Sequence, residues 1–221
     1  MRKKENIKSS AQEMTREELT RTQVLNLSDF EEVTKYEKLP GKILHIDGDN
    51  DYLERCMKFY EDMRVKANGI SLSEIDMGSK ITSLLKEFEP DIVVITGHDA
   101  YYSKKNDISD LNNYQNTSNF IDAVKMARKY EKSHDKLIII AGACQSNYEE
   151  LIRAGANFAS SPKRINIHAL DPAIIASSIA LSDRNKSIDL IHLIDRTKYG
   201  KDGIGGIITN GTMYVGYPRW H

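Results

Sequence analysis

Short apolar segments alternate with amphipathic segments from Gly41 onward, and this alternation limits the possible folds more than any other feature of the sequence. The segments that fit strands are KILHI, VKANGI, DIVVIT, LIIIAG and ANFASS, and those between them that fit helices are NDYLERCMKFYEDM, GSKITSLLKEFE, NFIDAVKMARKYE and NYEELIRAG. Four consecutive strand–helix units imply parallel strands covered by helices on both faces. We therefore expect an α/β protein with a doubly wound, mostly parallel sheet.

The two ends of the chain depart from this pattern. Residues 1–40 are charged and weakly patterned, and Pro40-Gly41 marks a boundary, so we expect a flexible N-terminal arm followed by one domain over residues 41–221. The glycine-rich C-terminal stretch GKDGIGGIITNGTMYVGYP alternates like an antiparallel β-hairpin with a turn at Asn210-Gly211. We expect this hairpin to extend the sheet domain.

Composition excludes several classes of protein. The 221 residues suit one domain with a tail, and 31 Lys and Arg against 32 Asp and Glu give no large charge for nucleic acid or a membrane surface. No apolar run approaches the roughly 18 residues of a membrane span, and no secretory signal is present, so we expect an intracellular protein. Two cysteines and no histidine cluster leave a disulfide scaffold or a metal site unsupported. We expect neither a metal nor a cofactor.

Polar residues follow three of the predicted strands at the point where each strand ends. The first strand leads into Asp47-Gly48-Asp49, the third into Gly97-His98-Asp99, and the fourth into Gly142-Ala143-Cys144-Gln145. In an open α/β sheet the working groups lie beyond the carboxyl ends of the strands. If these three strands are neighbours, an acid, an imidazole and a thiol meet at one edge of the sheet.

This trio suits acyl transfer, and hence peptide cleavage. Cys144 precedes a predicted helix and can be ionised with the help of that helix or of a nearby imidazole, while His98 can act as base and then as acid. The backbone N–H groups of Gly97, Asp99 and Cys144 are candidates for an oxyanion hole. The alternative is that Cys144 is a core thiol and His98 a turn residue. Cys56, on the apolar face of a predicted helix, is expected in the core.

One resemblance supports the fold but not its usual function. KILHIDGDNDYLERCMKFYEDM and AGANFASSPKR resemble the first and last strand regions of response-regulator receiver domains, with Lys163 after the last strand. This resemblance implies a flavodoxin-like sheet. The position of the phosphoacceptor aspartate, however, is occupied by Thr96. An aspartyl phosphate cannot form there, so the alternative function for such a domain is that of an inert, receiver-like scaffold.

A second resemblance covers about residues 41–218. KILHIDGD, PDIVVITGHDAYYSKKNDISDLNNY, LIIIAGACQSNYEELIRAGANFASSPKRINIHALDP and GIGGIITNGTM resemble the YabG-type sporulation-specific proteases of spore-forming Firmicutes. The strand–His and strand–Cys arrangement is also similar to the caspase, gingipain and clostripain clan, which implies a caspase-like three-layer sandwich. In that clan Gly usually follows the His, whereas Asp99 follows it here. This departure affects the oxyanion hole.

The resemblance implies a cysteine endopeptidase made in the mother cell cytoplasm and associated with the spore coat. It would cleave proteins of the spore coat and cortex after basic residues, Arg above all, with Cys144 as nucleophile and His98 as acid–base. The loop after the first strand would then supply an acid that binds Arg or orients His98. Asp47 is preferred to Asp49 because it is nearer the end of the strand, and Asp49 or Asn50 is expected to cap the following helix. The sequence predicts no oligomeric state.

The same resemblance bears on the N-terminal arm. The family carries a small additional N-terminal module, whereas this chain begins with the charged MRKK arm. We therefore expect a truncated or processed form, and self-cleavage at a basic site is one hypothesis for its origin.

Overall fold

Six strands form one sheet in the order β3-β2-β4-β5-β6-β7 in the computed structural model, which describes residues 37–102 and 107–216. The strands are β1 (Glu37–Leu39), β2 (Ile43–Asp47), β3 (Ala67–Ser71), β4 (Ile92–Thr96), β5 (Ile138–Ala141), β6 (Phe158–Ser160), β7 (Ile204–Gly206) and β8 (Tyr214–Gly216). All pairings from β3 to β6 are parallel, and only β7 runs antiparallel to its neighbour. The predicted doubly wound, mostly parallel sheet is confirmed.

Helices cover both faces of this sheet. They are α1 (Asn50–Asp62), α2 (Glu74–Phe88), α3 (Thr117–Tyr130), α4 (Tyr148–Ala154), α5 (Asp171–Ala180) and α6 (Leu190–Ile194). Helices α2, α3 and α4 share one apolar core with one face of the sheet, whereas α1 and α5 pack together and contact its strands outside that core. The molecule is thus the predicted three-layer α/β sandwich.

The apolar runs become central strands because both of their faces are covered. Every residue of β2, β4 and β5 is buried, which explains why these strands appear in the sequence as unbroken apolar runs. The helices, in contrast, bury a single stripe: in α2 the buried side chains are Met77, Ile81 and Leu85, one turn apart. The spacing of apolar residues in each strand and helix therefore matches the number of its faces that are buried.

One helix was not predicted. All ten residues of α5 are buried, and Pro172 stands at its start, where its missing N–H costs nothing. Because the helix is buried on all sides, its sequence shows no amphipathic period that would have predicted it. Its burial makes it the central helix of its layer.

The C-terminal extension forms strands, but these do not pair with each other as a hairpin. β7 joins the main sheet beside β6, and β8 pairs with β1 in a separate two-stranded sheet. Two glycines allow β7 to reach this position, because a Cβ at Gly205 would press on Tyr148 and one at Gly206 would overlap Phe158. Asn210 instead forms a bridge with Ser187.

Residues Lys38–Tyr214 form one compact unit. The arm predicted over residues 1–40 lies outside the described residues as far as residue 36, and its last residues form β1. The flexibility of the arm and the boundary at residue 41 therefore stay predictions. No helix of the described ranges is long and apolar enough to cross a membrane.

Candidate active site

The candidate site lies at the edge of the sheet where the parallel strands end. Asp47 pairs with Thr96 between β2 and β4, and Ile95 pairs with Ala141 between β4 and β5. Since these three strands are neighbours, the loops that follow them leave the sheet side by side. This is the arrangement expected from the sequence for the loops of the acid, the imidazole and the thiol.

The His98 side chain is 58% exposed and lies between two carboxylates. Its Nε2 is 3.4 Å from Asp49 Oδ2, and its Nδ1 is 3.8 Å from Glu74 Oε1. The backbone N–H of His98 donates to the same Glu74 oxygen at 2.7 Å, and its carbonyl accepts from Asn116 Nδ2 at 2.9 Å. The backbone is thus held on both sides, while the imidazole remains open to solvent.

The carboxylate of Asp47 lies beneath the surface of the site. Asp47 is only 4% exposed, and it accepts hydrogen bonds from the Asp49 N–H at 2.8 Å and the Thr96 hydroxyl at 2.7 Å. His45 Nε2 lies 3.6 Å from the same carboxylate. In this conformation Asp47 supports the loop from below and is not presented to a substrate.

The carboxylate of Asp49 has two roles in the structure. One oxygen accepts the Tyr52 N–H at 3.0 Å and caps α1, as predicted for Asp49 or Asn50. The other oxygen is the one that faces His98. Of the two acids predicted in this loop, Asp49 is therefore the one that contacts the imidazole.

Glu74 belongs to the site, and the sequence analysis missed it. It is the first residue of α2, its side chain is 16% exposed, and it reaches His98 across 24 positions of sequence. In the sequence Glu74 looks like an ordinary acid in the first turn of a helix. The signal that could have pointed to it is the glycine after each of two strands, Gly48 and Gly97, because both leave room for its carboxylate.

The loop of Cys144 is tightly constrained. Gly142 has φ +99°, and Gln145, directly after the cysteine, has φ +60°, a conformation that residues other than glycine rarely adopt. The Gln145 N–H donates to Ile165 O at 3.0 Å, which holds the turn closed. Cys144 itself is half-buried, and its Sγ lies 3.9 Å from the carbonyl oxygen of Ile167.

Asp99 joins the His98 loop to the Cys144 loop. Its buried carboxylate accepts from the Ser146 hydroxyl at 2.8 Å, and that hydroxyl in turn accepts the Ala143 N–H at 2.9 Å. The same carboxylate accepts from the Asn116 N–H at 2.7 Å and from the Thr117 hydroxyl at the start of α3. One side chain therefore connects both candidate loops and the following helix.

The three backbone N–H groups predicted for an oxyanion hole differ from their neighbours. Those of Gly97, Asp99 and Cys144 have no protein acceptor among residues 37–102 and 107–216, whereas that of His98 is taken by Glu74. Within residues 97–100 and 142–146, the two loops that carry His98 and Cys144, these three N–H groups are left for solvent or a ligand.

The thiol of Cys144 and the imidazole of His98 are on neighbouring loops but are not hydrogen-bonded to each other in the described part of the chain. Both ring nitrogens face carboxylates instead. Catalytic hydrogen bonds are often long or absent before substrate binds. A direct contact between the two side chains therefore requires a change of conformation.

The second cysteine is unlike Cys144 in every respect. Cys56 is fully buried on α1, as predicted, and its Sγ–H donates to Ala169 O at 3.5 Å. Burial, with the negative charge of Asp47, raises the pKa of the Cys56 thiol from 9.0 to about 12. Cys56 is therefore a protonated core residue at neutral pH.

Among residues 37–102 and 107–216, no group of three or more His, Cys, Asp or Glu side chains could hold a metal ion. The acids around His98 instead have backbone N–H groups and the imidazole as partners.

Comparison with known proteins adds to this geometry. The family model described as YabG peptidase U57 matches residues 1–218. The sporulation-specific protease YabG of Bacillus subtilis strain 168 is 45% identical over 191 residues, which cover 86% of this chain and 66% of that protein. The chain thus spans just under two thirds of the length of this relative.

Proposed function

The chain belongs to the YabG peptidase U57 family, and on this basis we propose that it is a sporulation endopeptidase that cleaves peptide bonds with the thiol of Cys144. His98 is the acid–base of the reaction. The supporting observation is the register of β4 and β5, which brings the two loops to one edge of the sheet, where Asp99 and Ser146 join them.

The thiolate of Cys144 attacks the scissile carbonyl carbon, and the carbonyl electron pair moves to the oxygen. Backbone N–H groups of Gly97, Asp99 and Cys144 donate to this oxyanion, since they have no acceptor among the described residues. His98, having taken the thiol proton, returns it to the departing amine as the C–N bond breaks. Water then cleaves the thioester and releases the acid product and the free thiol.

His98 must turn toward Cys144 during this cycle. Its side chain is mostly exposed, so a change of rotamer meets little resistance from packing, while its main chain stays fixed by Glu74 and Asn116. A substrate between the two loops would displace solvent and favour the turned position. Glu74 stays bonded to the His98 main chain when the ring turns, so its carboxylate remains beside the histidine.

Arg preference depends on an acid near the scissile bond. A carboxylate can pair bidentately with a guanidinium and disfavours neutral side chains. Asp47 was preferred for this role, but its carboxylate is buried and already accepts two hydrogen bonds. Asp49, whose side chain is 25% exposed, can reach a substrate without a rearrangement of the loop. We therefore assign Arg recognition to Asp49 and support of the loop to Asp47.

Proteins of the spore coat and cortex are the proposed substrates, and the mother cell is the proposed place of action. This assignment rests on the relative's description as a sporulation-specific protease. Substrates with exposed basic residues would suit an acid at this edge of the sheet.

Cys144→Ala and His98→Ala test the proposed dyad. Each variant should lose at least about 10³-fold in kcat/KM on a fluorogenic Arg peptide, because a thiol and its base act as a unit. The circular dichroism spectrum and the melting temperature should stay close to those of the parent. His192→Ala is a matched control, since this exposed histidine lies on α6.

The outcome separates the enzyme from the inert scaffold. Full turnover in either dyad variant would disprove the assignment of that residue. Absence of turnover in the parent protein as well, with Cys144 no more reactive toward iodoacetamide than Cys56, would favour the scaffold.

Asp49→Asn and Asp47→Asn distinguish the two acids. Asp49→Asn should reduce the preference for Arg over neutral residues by about 10-fold or more, because it removes the charge that pairs with the guanidinium. Asp47→Asn should leave the preference intact and lower stability. If Asp49→Asn lowers kcat while selectivity persists, Asp49 orients His98 instead.

A further inference from the structure

We propose that Glu74 is the positioning residue for His98, an inference that rests on the proposed function of His98. It accepts the backbone N–H of His98 at 2.7 Å, and the same oxygen lies 3.8 Å from Nδ1 of the ring. One carboxylate oxygen therefore contacts both the main chain and the side chain of the acid–base. Within the described ranges no other side chain does this.

The neighbouring backbone is shaped to admit this carboxylate. Gly48 follows β2 and Gly97 follows β4, and a Cβ at either position would overlap the Glu74 side chain. Neither glycine has a positive φ, so backbone conformation does not require glycine at these positions. The close approach of Glu74 is the physical reason for both residues, which makes the glycines an observation independent of the hydrogen bond.

The position of Glu74 in the fold keeps it rigid. It opens α2, a helix of 15 residues whose Met77, Ile81 and Leu85 are fully buried in the main core. A carboxylate on the first turn is also favoured by the helix dipole. The acid thus approaches the loop of His98 from a fixed element of the scaffold.

Two consequences follow for the reaction. The hydrogen bond to the main chain fixes the backbone position from which the imidazole turns. The charge near Nδ1 favours the imidazolium that forms when His98 takes the thiol proton. Asp49, which contacts Nε2, leaves that nitrogen when the ring turns, whereas Glu74 keeps its hold through the backbone.

The test compares Glu74→Ala with Glu74→Gln. Loss of the acceptor in Glu74→Ala should lower kcat by about 10- to 100-fold with KM changed less than about twofold, because it affects geometry and not substrate affinity. Glu74→Gln retains an acceptor oxygen and should recover part of kcat. Asp76→Ala is the matched control, since it also removes a first-turn carboxylate of α2.

A second readout does not depend on activity. In a Cys144→Ala background, the His98 backbone amide proton should resonate downfield, should move upfield in Glu74→Ala, and should stay near its parent position in Glu74→Gln and Asp76→Ala. The proposal would be overturned if the chemical shift of the His98 amide proton did not change in Glu74→Ala, or if kcat did not change in that variant. If Cys144→Ala retains turnover, the proposed dyad fails, but the amide shift still decides whether Glu74 holds His98.

Discussion

Asp99 is a single residue that holds several groups of the site together. Its carboxylate accepts from the backbone of Ala100 and Asn116 and from the hydroxyls of Thr117 and Ser146. The two oxygens of one carboxyl group provide acceptor positions for all four donors. The side chain of Asp99 thus connects the His98 loop, the Cys144 loop and the start of α3.

Asp99→Asn should therefore destabilise the protein. The amide group would point hydrogens at existing donors, and unpaired buried groups cost about 1–3 kcal/mol each. Urea denaturation would measure the change in the free energy of unfolding. Asp122→Asn, an exposed position on α3, is the matched control. Equal stability of Asp99→Asn and the parent protein would contradict the network described here.

The sequence pattern predicted different surroundings for the two cysteines. In the structure Cys56 lies on the apolar stripe of a helix, and Cys144 follows a strand. The sequence could not identify Glu74, because the contact with His98 depends on how the start of α2 meets the end of β4. It also favoured Asp47 over Asp49. Whether Asp47 or Asp49 points into the protein depends on the pleat of the strand and on the conformation of the loop that follows it. A sequence pattern does not specify either.

At the scale of elements, the periodic segments were predictable and the others were not. The five parallel strands and the helices between them follow from apolar runs and helical stripes. The helix α5 has no stripe, and β7 and β8 are too short to select their own partners. Strand pairing of three-residue segments is decided by the surrounding surface and not by local sequence.

Arg128 connects several elements and gives a prediction at this scale. From α3 its guanidinium donates six hydrogen bonds, five of them to the carbonyls of Gly155, Glu131, Ser133 and Leu137. Lysine has three donors on one atom and cannot reach acceptors on both sides.

Arg128→Lys should lower the free energy of unfolding by about 2 kcal/mol or more, since several carbonyls lose a charged donor. Urea denaturation measures this loss. The reverse exchange at an exposed site of the same helix, Lys125→Arg, should change stability little. A loss of stability of similar size in both variants would mean that the hydrogen bonds of Arg128 to the carbonyls outside α3 do not stabilise the protein.

For the molecule as a whole, a buried cluster of polar side chains beneath the candidate site makes stability depend on pH. Its members are His45, Asp47, Tyr60 and Thr96. Tyr60 donates to or accepts from His45 Nδ1 at 2.8 Å, and His45 Nε2 lies 2.9 Å from the Thr96 hydroxyl, close to Asp47. Burial first, and then the charges of Cys56 and Asp47, raise the pKa of Tyr60 well above its ordinary value of 10.0. Cys56, with its own pKa of about 12, has the same direction of shift.

The free energy of unfolding should therefore fall as the pH rises above 9. The unfolded chain releases the Cys56 proton near pH 9.0, whereas the folded protein keeps it to about pH 12, so alkali favours the unfolded state. Each such group contributes a slope of up to about 1.4 kcal/mol per pH unit. Urea denaturation between pH 8 and pH 11 should show a shallower decline in Cys56→Ala and in Tyr60→Phe than in the parent. Parallel declines in all three proteins would mean that neither buried group controls the alkaline limit of the fold.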